Sequence, residues 1–458
     1  MEKIIPVTKN QELEVEIIDL TNEGMGVARV DNFAIFIANA LPGEIAEIRV
    51  VKVLKKFAFA IVLELKKESP DRVPAKKELL QTGIAPLQHL AYDKQLEFKQ
   101  HQVEHVLKTI AKMPDVPVLE TIGAKNPVAY RNKAALPVRR NEGKLEVGFF
   151  KKNSHDLVPM TDFYIQDPKI DEAAQVILGI LERYNVKAYD EKNQVGFLRH
   201  LLIRRSDNTK QMMVVLVTNK DKFFKSAEIA ETIVRELPEV VSVIQNVNPE
   251  NTNVILGKVN HQLIGNGFYE DTLLGKTYHI SAASFYQVNT PQAEILYQTA
   301  IDFADLKKSD VVIDAYCGIG TIALSLADKV DHVYGVEVVH DAIVDAKTNA
   351  AINDVDNVKF KAGLAEVVMP KWQEKNIHAN VVVVDPPRKG LAESFIEATV
   401  KMNPERIIYI SCNPATLARD LRLFADLGDY KVEKVQPVDV FPQTTHVETV
   451  VLMSRVDK

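Results

Sequence analysis

The sequence predicts an α/β protein in three parts: a small amino-terminal β-barrel, an α+β middle, and a carboxyl-terminal parallel sheet flanked by helices. Three observations predict this. Short strand-like runs separated by turn signals crowd residues 10–65. From about 120 to 280, strand-like and helical stretches are mixed. From about 281, apolar runs alternate with helical segments, the pattern of a parallel sheet.

In the first part, "LEVEIIDL", "GVARV", "FAIFIAN", "EIAEIRVVKVL" and "FAFAIVLEL" read as five strands, with "TNEGMG" and "ALPGE" as turns. Five short strands in so few residues suit a closed barrel of the oligonucleotide-binding kind, with a basic strand "RVVKVLKKF". The charged, proline-containing "KKESPDRVPAKK" reads as a boundary. Residues 93–113 have helical periodicity, with Leu96, Val103 and Leu107 along one face. In the middle part, "KAALPVRR" and "LEVGFF" predict a hairpin and "DEAAQVILGILERYN" a helix. "LRHLLIRRS" and "QMMVVLVTN" predict a second strand pair. In the last part, "DVVIDAY", "HVYGVEVV", "NVKFKAG", "NVVVVDPP" and "RIIYISC" are the parallel strands, and "KVEKVQPVDVF" and "HVETVVLMS" a terminal pair.

Composition narrows the function classes. The chain has 458 residues, 46% of them hydrophobic and 26% charged, which excludes disorder and gives room for several cores. No apolar run reaches the roughly 18 residues of a membrane span. The start lacks a signal-peptide layout. Two cysteines exclude a disulfide framework or a four-thiolate site, so a cytoplasmic location with both thiols reduced is expected. The net charge of -6 restricts any nucleic-acid site to a local patch. Residues 123–152 offer one: eight Lys/Arg, among them Arg131 and Lys133, against Glu142 and Glu146, with Tyr130, Phe149 and Phe150 interleaved. That mixture suits phosphates and unstacked bases, and equally a solvated hairpin.

The chemistry sits at strand ends. In "VVIDAYCGIGTIALSLA" a buried strand ends in Asp314, followed by a Gly318/Gly320 turn and a helix. The next strand ends at Glu337, placed to bind ribose hydroxyls of NAD or of S-adenosylmethionine. The turn lacks a third spaced glycine, which favours S-adenosylmethionine. In "VVVVDPPRKG", Asp385 ends a buried strand, where ligands of open α/β sheets lie. Amino-directed methyltransferases carry an aromatic after the two prolines; here Arg388 stands there. Cys412 ends the next strand on the same rim, whereas Cys317 in the cofactor turn reads as packing.

A thiol on that rim fits one kind of methyl transfer. Carbon 5 of uracil is a weak nucleophile until a thiolate adds to carbon 6 and turns the ring into an enolate. A base must then remove the carbon 5 proton. "QTTHVETVVLM" supplies His446 and Glu448 at the start of the terminal strand.

"SFYQVN" (284–289), "DAYCGIGT" (314–321), "DPPRKG" (385–390), "SCNPATLARDL" (411–421) and "HVETV" (446–450) together resemble the RNA uracil-5-methyltransferase family nearly end to end. The closest resemblance is to 23S ribosomal RNA enzymes with a TRAM domain and no iron–sulfur cluster. It implies a TRAM barrel at 1–66 and a central α+β RNA-binding domain at 67–92 and 120–280. It also implies a Rossmann-like class I methyltransferase domain at 93–119 and 281–458. By the same resemblance Cys412 is the nucleophile and Glu448 the base. Gln287, Tyr316, Glu337 and Asp385 hold S-adenosylmethionine, with Thr321 and Gly363 lining it. Asp385 also touches the uracil, and Phe285 lies near the flipped base. Arg131 and Lys133 in "YRNK", and Lys52 and Lys55 on the barrel, are expected to contact RNA. The implied function is transfer of a methyl group to carbon 5 of one or more uridines of 23S ribosomal RNA by a cytoplasmic monomer that needs neither membrane nor protein partner. A transfer RNA uracil-5-methyltransferase and a non-catalytic RNA-binding assembly factor are the alternatives. Several relatives carry a four-cysteine iron–sulfur site; Lys76, Thr82, Ala85 and Phe163 occupy its ligand positions here, so no cluster and no metal is expected.

Overall fold

The computed structural model describes residues 5–152 and 154–456. The barrel strands are Glu12–Glu16, Asp19–Leu20, Gly26–Val30, Phe33–Ala38, Ile45–Val53 and Phe57–Lys67. The expected single strand "LEVEIIDL" is bent into two. Its first piece pairs with Ile45–Val53 at one sheet edge and its second with Gly26–Val30 at the other. At the bend the Ile17 amide donates to Glu44 O (2.9 Å) and the Ile18 amide to Val27 O (2.8 Å). One bent segment therefore joins both edges and closes the sheet, which removes them as aggregation templates.

The middle of the chain is a seven-stranded sheet. Its spatial order is Val259–Ile264, Val240–Val247, Met212–Thr218, Leu198–Arg205, Lys133–Asn141, Lys144–Phe150 and Leu157–Pro159. Helices Pro168–Arg183 and Ser226–Glu236 pack on it through Ile177, Leu181, Ile229 and Ile233. The first of these begins cleanly because Asp167 caps the Lys169 amide (2.9 Å) ahead of Pro168.

A hairpin, Phe268–Leu273 and Lys276–Ser281, follows. Its Tyr269, Leu273, Tyr278 and Ile280 share one apolar core with Leu202, Met213 and Ile244 of the middle sheet and with Val312, Val383 and Ile408 of the next. A boundary at 280 would thus cut a strand whose side chains belong to both neighbours.

The last sheet has strands β1 (Val311–Ala315), β2 (His332–Glu337), β3 (Val358–Ala362), β4 (Val381–Val384), β5 (Arg406–Ser411), β6 (Tyr430–Val438) and β7 (Glu448–Arg455). The order is β3-β2-β1-β4-β5-β7-β6, with β1 to β5 parallel and β7 antiparallel to both β5 and β6. Along β4 and β5 alternate residues enter opposite cores: Val381, Val383, Ile408 and Ile410 on one face, Val382, Val384, Ile407 and Tyr409 on the other. The four-valine run is therefore buried on both sides, as a central parallel strand must be.

Helix Tyr92–Val106 continues as a π-helical turn, Leu107–Ala111, and packs on this last sheet's second face. Its most buried line runs through Gln95, Lys99 and Val103, with Leu96 only partly covered. The expected Leu96 face is corrected accordingly: polar side chains with internal partners took the inner positions. Among the described residues no helix is long and apolar enough to cross a membrane.

Candidate active site

Parallel strands deliver all their carboxyl ends to one rim. Ala315 pairs with Val384 and Val336, and Val384 pairs with Tyr409, so Tyr316, Glu337 and Asp385 emerge side by side. Strand β7 runs the other way, and Ser411 pairs with Thr449. One step further, Cys412 leaving β5 faces Glu448 entering β7. The structure brings Cys412, Glu448 and Asp385 together although 36 and 27 residues of chain separate Cys412 from the other two.

The rim is short of charge compensation. Burial pushes the Cys412 thiol up to about 11, with the charges of Glu448 and Asp385 adding to the shift and Arg388 opposing it. Burial raises Asp385 to about 7. Burial, then Asp385, holds Glu448 well above the ordinary carboxylate range, again against Arg388. Arg388 is thus the cation that pulls both the thiol and Glu448 toward their charged forms. Its Nη2 lies 3.3 Å from His446 Nε2, and burial with Arg388's charge lowers His446 to about 4, leaving it neutral. The loop bearing Arg388 is tied down by the next helix, Pro414–Leu427: Asn413 Nδ2 (3.0 Å) and Thr416 Oγ1 (3.2 Å) both donate to Arg388 O.

The cofactor side is built by the β1 turn. Tyr316 takes φ 66, and its amide donates to Val336 O (2.9 Å). Gly318 and Gly320 also have positive φ, which glycine adopts without strain. Glu337 accepts from the amides of Gly318 (3.3 Å) and Val339 (2.9 Å), which fixes its carboxylate at the rim. A Cβ on Gly318 would meet nothing within 4 Å, so this backbone borders open space. No side-chain donor reaches Asp314, and burial with the charges of Asp385 and Glu337 raises it well above the usual range. This donor set fits S-adenosylmethionine: an acidic residue for ribose hydroxyls, glycines at a close approach, and buried carboxyls beside a cationic sulfonium. Gln287 is buried, its Nε2 3.4 Å from Tyr297 Oη, and Tyr297 also reaches Thr321. Gly363 (φ 152) donates to Glu337 O (2.9 Å) beside the same strand end. Cys317 is buried and its sulfur packs 3.0 Å from where a Cβ of Gly335 would stand, a packing position.

Phe285 is 71% exposed, while its neighbours are pinned. Ser284 Oγ donates to Asp345 (2.9 Å) and Ser284 O accepts from Arg204 (2.7 Å). Asn132, between the two predicted RNA contacts, binds the Gln287 carbonyl (3.0 Å) and Thr290 (3.1 Å). Arg131 Nε donates to Lys133 O (3.2 Å), and burial with the charges of Arg204 and Arg131 lowers Lys133 to about 7. Arg131 and Lys133 therefore lie beside the Phe285 loop as partly covered groups, not on an open basic face. Lys52 and Lys55 stand apart from the rim, exposed on the barrel.

At the positions expected of cluster ligands, Ala85 and Phe163 are buried and Phe163 meets Phe149 edge-on at 5.2 Å. Thr82 Oγ1 donates to Leu79 O (2.9 Å), and Lys76 pairs with Asp162. Among the described residues no group of three His, Cys, Asp or Glu is placed to hold a metal.

Sequence reasoning noted Arg388 but gave it no role, and it missed Lys99. Lys99 Nζ binds Asp439 Oδ1 at 2.5 Å and Phe441 O at 3.1 Å with both side chains fully buried. Asp439 Oδ2 also accepts from Tyr92 (2.9 Å), while Gln292 and Asn289 bind the carbonyls of Asp439 and Val440 (2.9 and 3.0 Å). These bonds anchor residues 439–447, which deliver Glu448. The available signal was a lysine four residues before Val103 on a helix face otherwise turned inward.

The tRNA (Uracil-5-)-methyltransferase family matches residues 91–456, and the TRAM domain matches residues 6–63. An RNA methyltransferase of Enterococcus faecalis is 51% identical over 454 residues, 99% of each chain. One of Streptococcus mutans is 52% identical over 446 residues, 97% of this chain and 99% of that one. The crystal structure of Pyrococcus abyssi tRNA (uracil-54, C5)-methyltransferase in complex with S-adenosyl-L-homocysteine superposes with TM-score 0.77 at 27% identity, covering 96% of this chain and 99% of that one.

Proposed function

The chain belongs to the tRNA (uracil-5-)-methyltransferase family and is an S-adenosylmethionine-dependent RNA uracil-5-methyltransferase; from that premise we propose that it acts on 23S ribosomal RNA through a covalent cysteine–uracil intermediate. The observation that carries the mechanism is the nearness of Cys412 and Glu448 just past the Ser411–Thr449 end of the β5–β7 ladder, beside Asp385 and Arg388. S-adenosylmethionine supplies the electrophilic methyl group. Glu337 orients its ribose, with Gln287, Tyr316, Thr321 and Gly363 around it. Cys412 first gives up its thiol proton to solvent; the thiolate sulfur then bonds to uracil carbon 6, the carbon 5–carbon 6 double bond opens, and the electron pair moves toward oxygen 4 as an enolate. Arg388 favours the thiolate and balances the added charge. After carbon 5 has taken the methyl, Glu448 accepts its proton, the double bond reforms, and the sulfur leaves with its electron pair. Glu448 must reach this step ionised, and Arg388 favours that form against the burial that holds the proton on. Asp385 holds the uracil edge and Phe285 occupies the gap left by the flipped base.

Cys412→Ala tests this: methyl transfer should vanish while S-adenosylmethionine binding persists. Near-normal turnover would exclude the covalent route. The choice of 23S RNA rests on the resemblance of the chain's motifs and barrel taken together to that branch. A second reading, transfer RNA, is favoured by the Pyrococcus abyssi enzyme, whose match extends over 96% of this chain and so leaves the barrel undiscriminating. Mass-spectrometric mapping of 5-methyluridine in both RNAs, from cells with and without the gene, decides between them.

A further inference from the structure

We propose that the barrel is a positioning element for the loop that delivers the catalytic base, and not only a grip on RNA; this rests on the reading of Glu448 as that base. Two separate routes run from the barrel to residues 443–445, directly before His446 and Glu448.

The first is a direct contact. Gly24 has φ +75, and a Cβ there would lie 2.9 Å from Leu87 Cδ2 and 3.1 Å from Thr445 Cγ2. The barrel turn therefore lies with bare backbone against the catalytic loop. The turn is stiff: Thr21 O accepts from the Gly24 amide (2.8 Å), and the Met25 amide donates to Thr21 Oγ1 (3.1 Å).

The second route is polar. Glu44, at the base of the barrel, has no solvent exposure, and its carboxylate accepts Arg72 Nε (2.5 Å) and Nη2 (2.9 Å). Arg72 also donates to Asn39 O (2.8 Å), so it clamps the barrel from outside. Arg72 and Leu90 form a backbone bridge. Leu90 O accepts Gln95 Nε2 (2.8 Å), and Gln95 Oε1 accepts the Gln443 amide (3.0 Å). The Leu87 amide in turn donates to Gln443 O (3.0 Å). A barrel on a free tether would need none of these bonds. Cys412, one residue past β5, has no part in either route.

A shift of the barrel should therefore reach Glu448 directly, through residues 443–447, whereas no such route leads to Cys412. Misplacing a reacting group by about 1 Å can cost on the order of 100-fold in rate. The step that suffers is the last one, so the methylated RNA should stay bonded to Cys412.

The test uses two full-length variants. Gly24→Asn adds a Cβ while tolerating the left-handed backbone, which isolates the contact from strain. Arg72→Met cuts the polar route. Cofactor binding and melting report folding. RNA affinity, turnover and a denaturing-gel assay for protein–RNA adduct are measured with a 23S RNA transcript and with bulk transfer RNA. The expected result is turnover lower by about tenfold or more, RNA affinity nearly unchanged, and adduct that needs both S-adenosylmethionine and Cys412. Weaker RNA affinity with unchanged turnover and no adduct would overturn the proposal. If Glu448→Gln traps no adduct either, the reading of the base fails, and the split between turnover and affinity then decides the coupling alone. If Gly24→Asn fails to fold, Arg72→Met decides by the same measurements.

Discussion

With its thiol held at about 11, Cys412 is almost wholly protonated at neutral pH before RNA binds. Alkylation by iodoacetamide should then be slow and should rise roughly tenfold per pH unit between 7 and 9. Rapid, pH-independent labelling, read by peptide mass spectrometry, would mean that the thiolate is preformed. Glu448 makes two predictions. Its Gln variant should accumulate the methylated adduct on Cys412, seen as a band resistant to denaturing gels. It should also be more stable. The folded state holds the Glu448 proton more tightly than the unfolded chain does, so stability falls as pH rises above the unfolded carboxylate value. Glu448→Gln removes that loss, and its melting point should exceed wild type at pH 8, with the gap closing toward pH 4. Each kcal/mol recovered corresponds to about 1 °C for a cooperative unit of this size. An equal melting point at both pH values would contradict the buried, protonated carboxyl. Cys412, Asp385 and Glu448 were legible because each ends or begins an apolar run. The role of Arg388 was not, because its effect on the thiol depends on β4 and β5 lying side by side.

At the scale of elements, the last sheet was the most legible part of the chain. Its strands are buried on both faces and appear as short apolar runs between helices, as in "VVVVDPP" and "RIIYISC". The hairpin Phe268–Leu273/Lys276–Ser281 was not singled out, since its polar and apolar residues alternate and its partners are remote in sequence. The break in "LEVEIIDL" was equally hidden: Ile17 and Ile18 continue a strand pattern, and only closure of the barrel forces the bend. In helix Tyr92–Val106 and the π-helical turn after it, the periodicity found Val103 and Leu107 but not the inward Gln95 and Lys99, whose polar side chains carry no apolar signal. Lys99→Met should cost about 3–5 kcal/mol, because it leaves Asp439 buried and unpaired as a charge. Adding Asp439→Asn should recover most of that loss. Urea denaturation of both variants checks it, and a loss below about 1 kcal/mol for Lys99→Met would mean that water or Tyr92 satisfies Asp439 alone.

Across the whole molecule, the exposed barrel lysines and the exposed Phe285 are the surfaces proposed to meet RNA. Cutting after Lys67 should weaken RNA binding far more than cofactor binding. It should also flatten the salt dependence by about 0.7 of slope for each phosphate of single-stranded RNA that is no longer neutralised. An unchanged slope in a folded truncation would assign those lysines to the solvent. The apolar core that runs from Leu202 and Met213 through the hairpin to Val312 and Ile408 has a thermal consequence. One apolar core spans the two larger sheets, so they have one heat-capacity peak to share. Scanning calorimetry of residues 68–458 should give a single endotherm, and limited proteolysis should find no cut that frees either sheet intact. An excised fragment 281–458 would keep every residue from Gln287 to Glu448, yet lose the hairpin and helix Tyr92–Val106 that complete its two apolar cores, and precipitate.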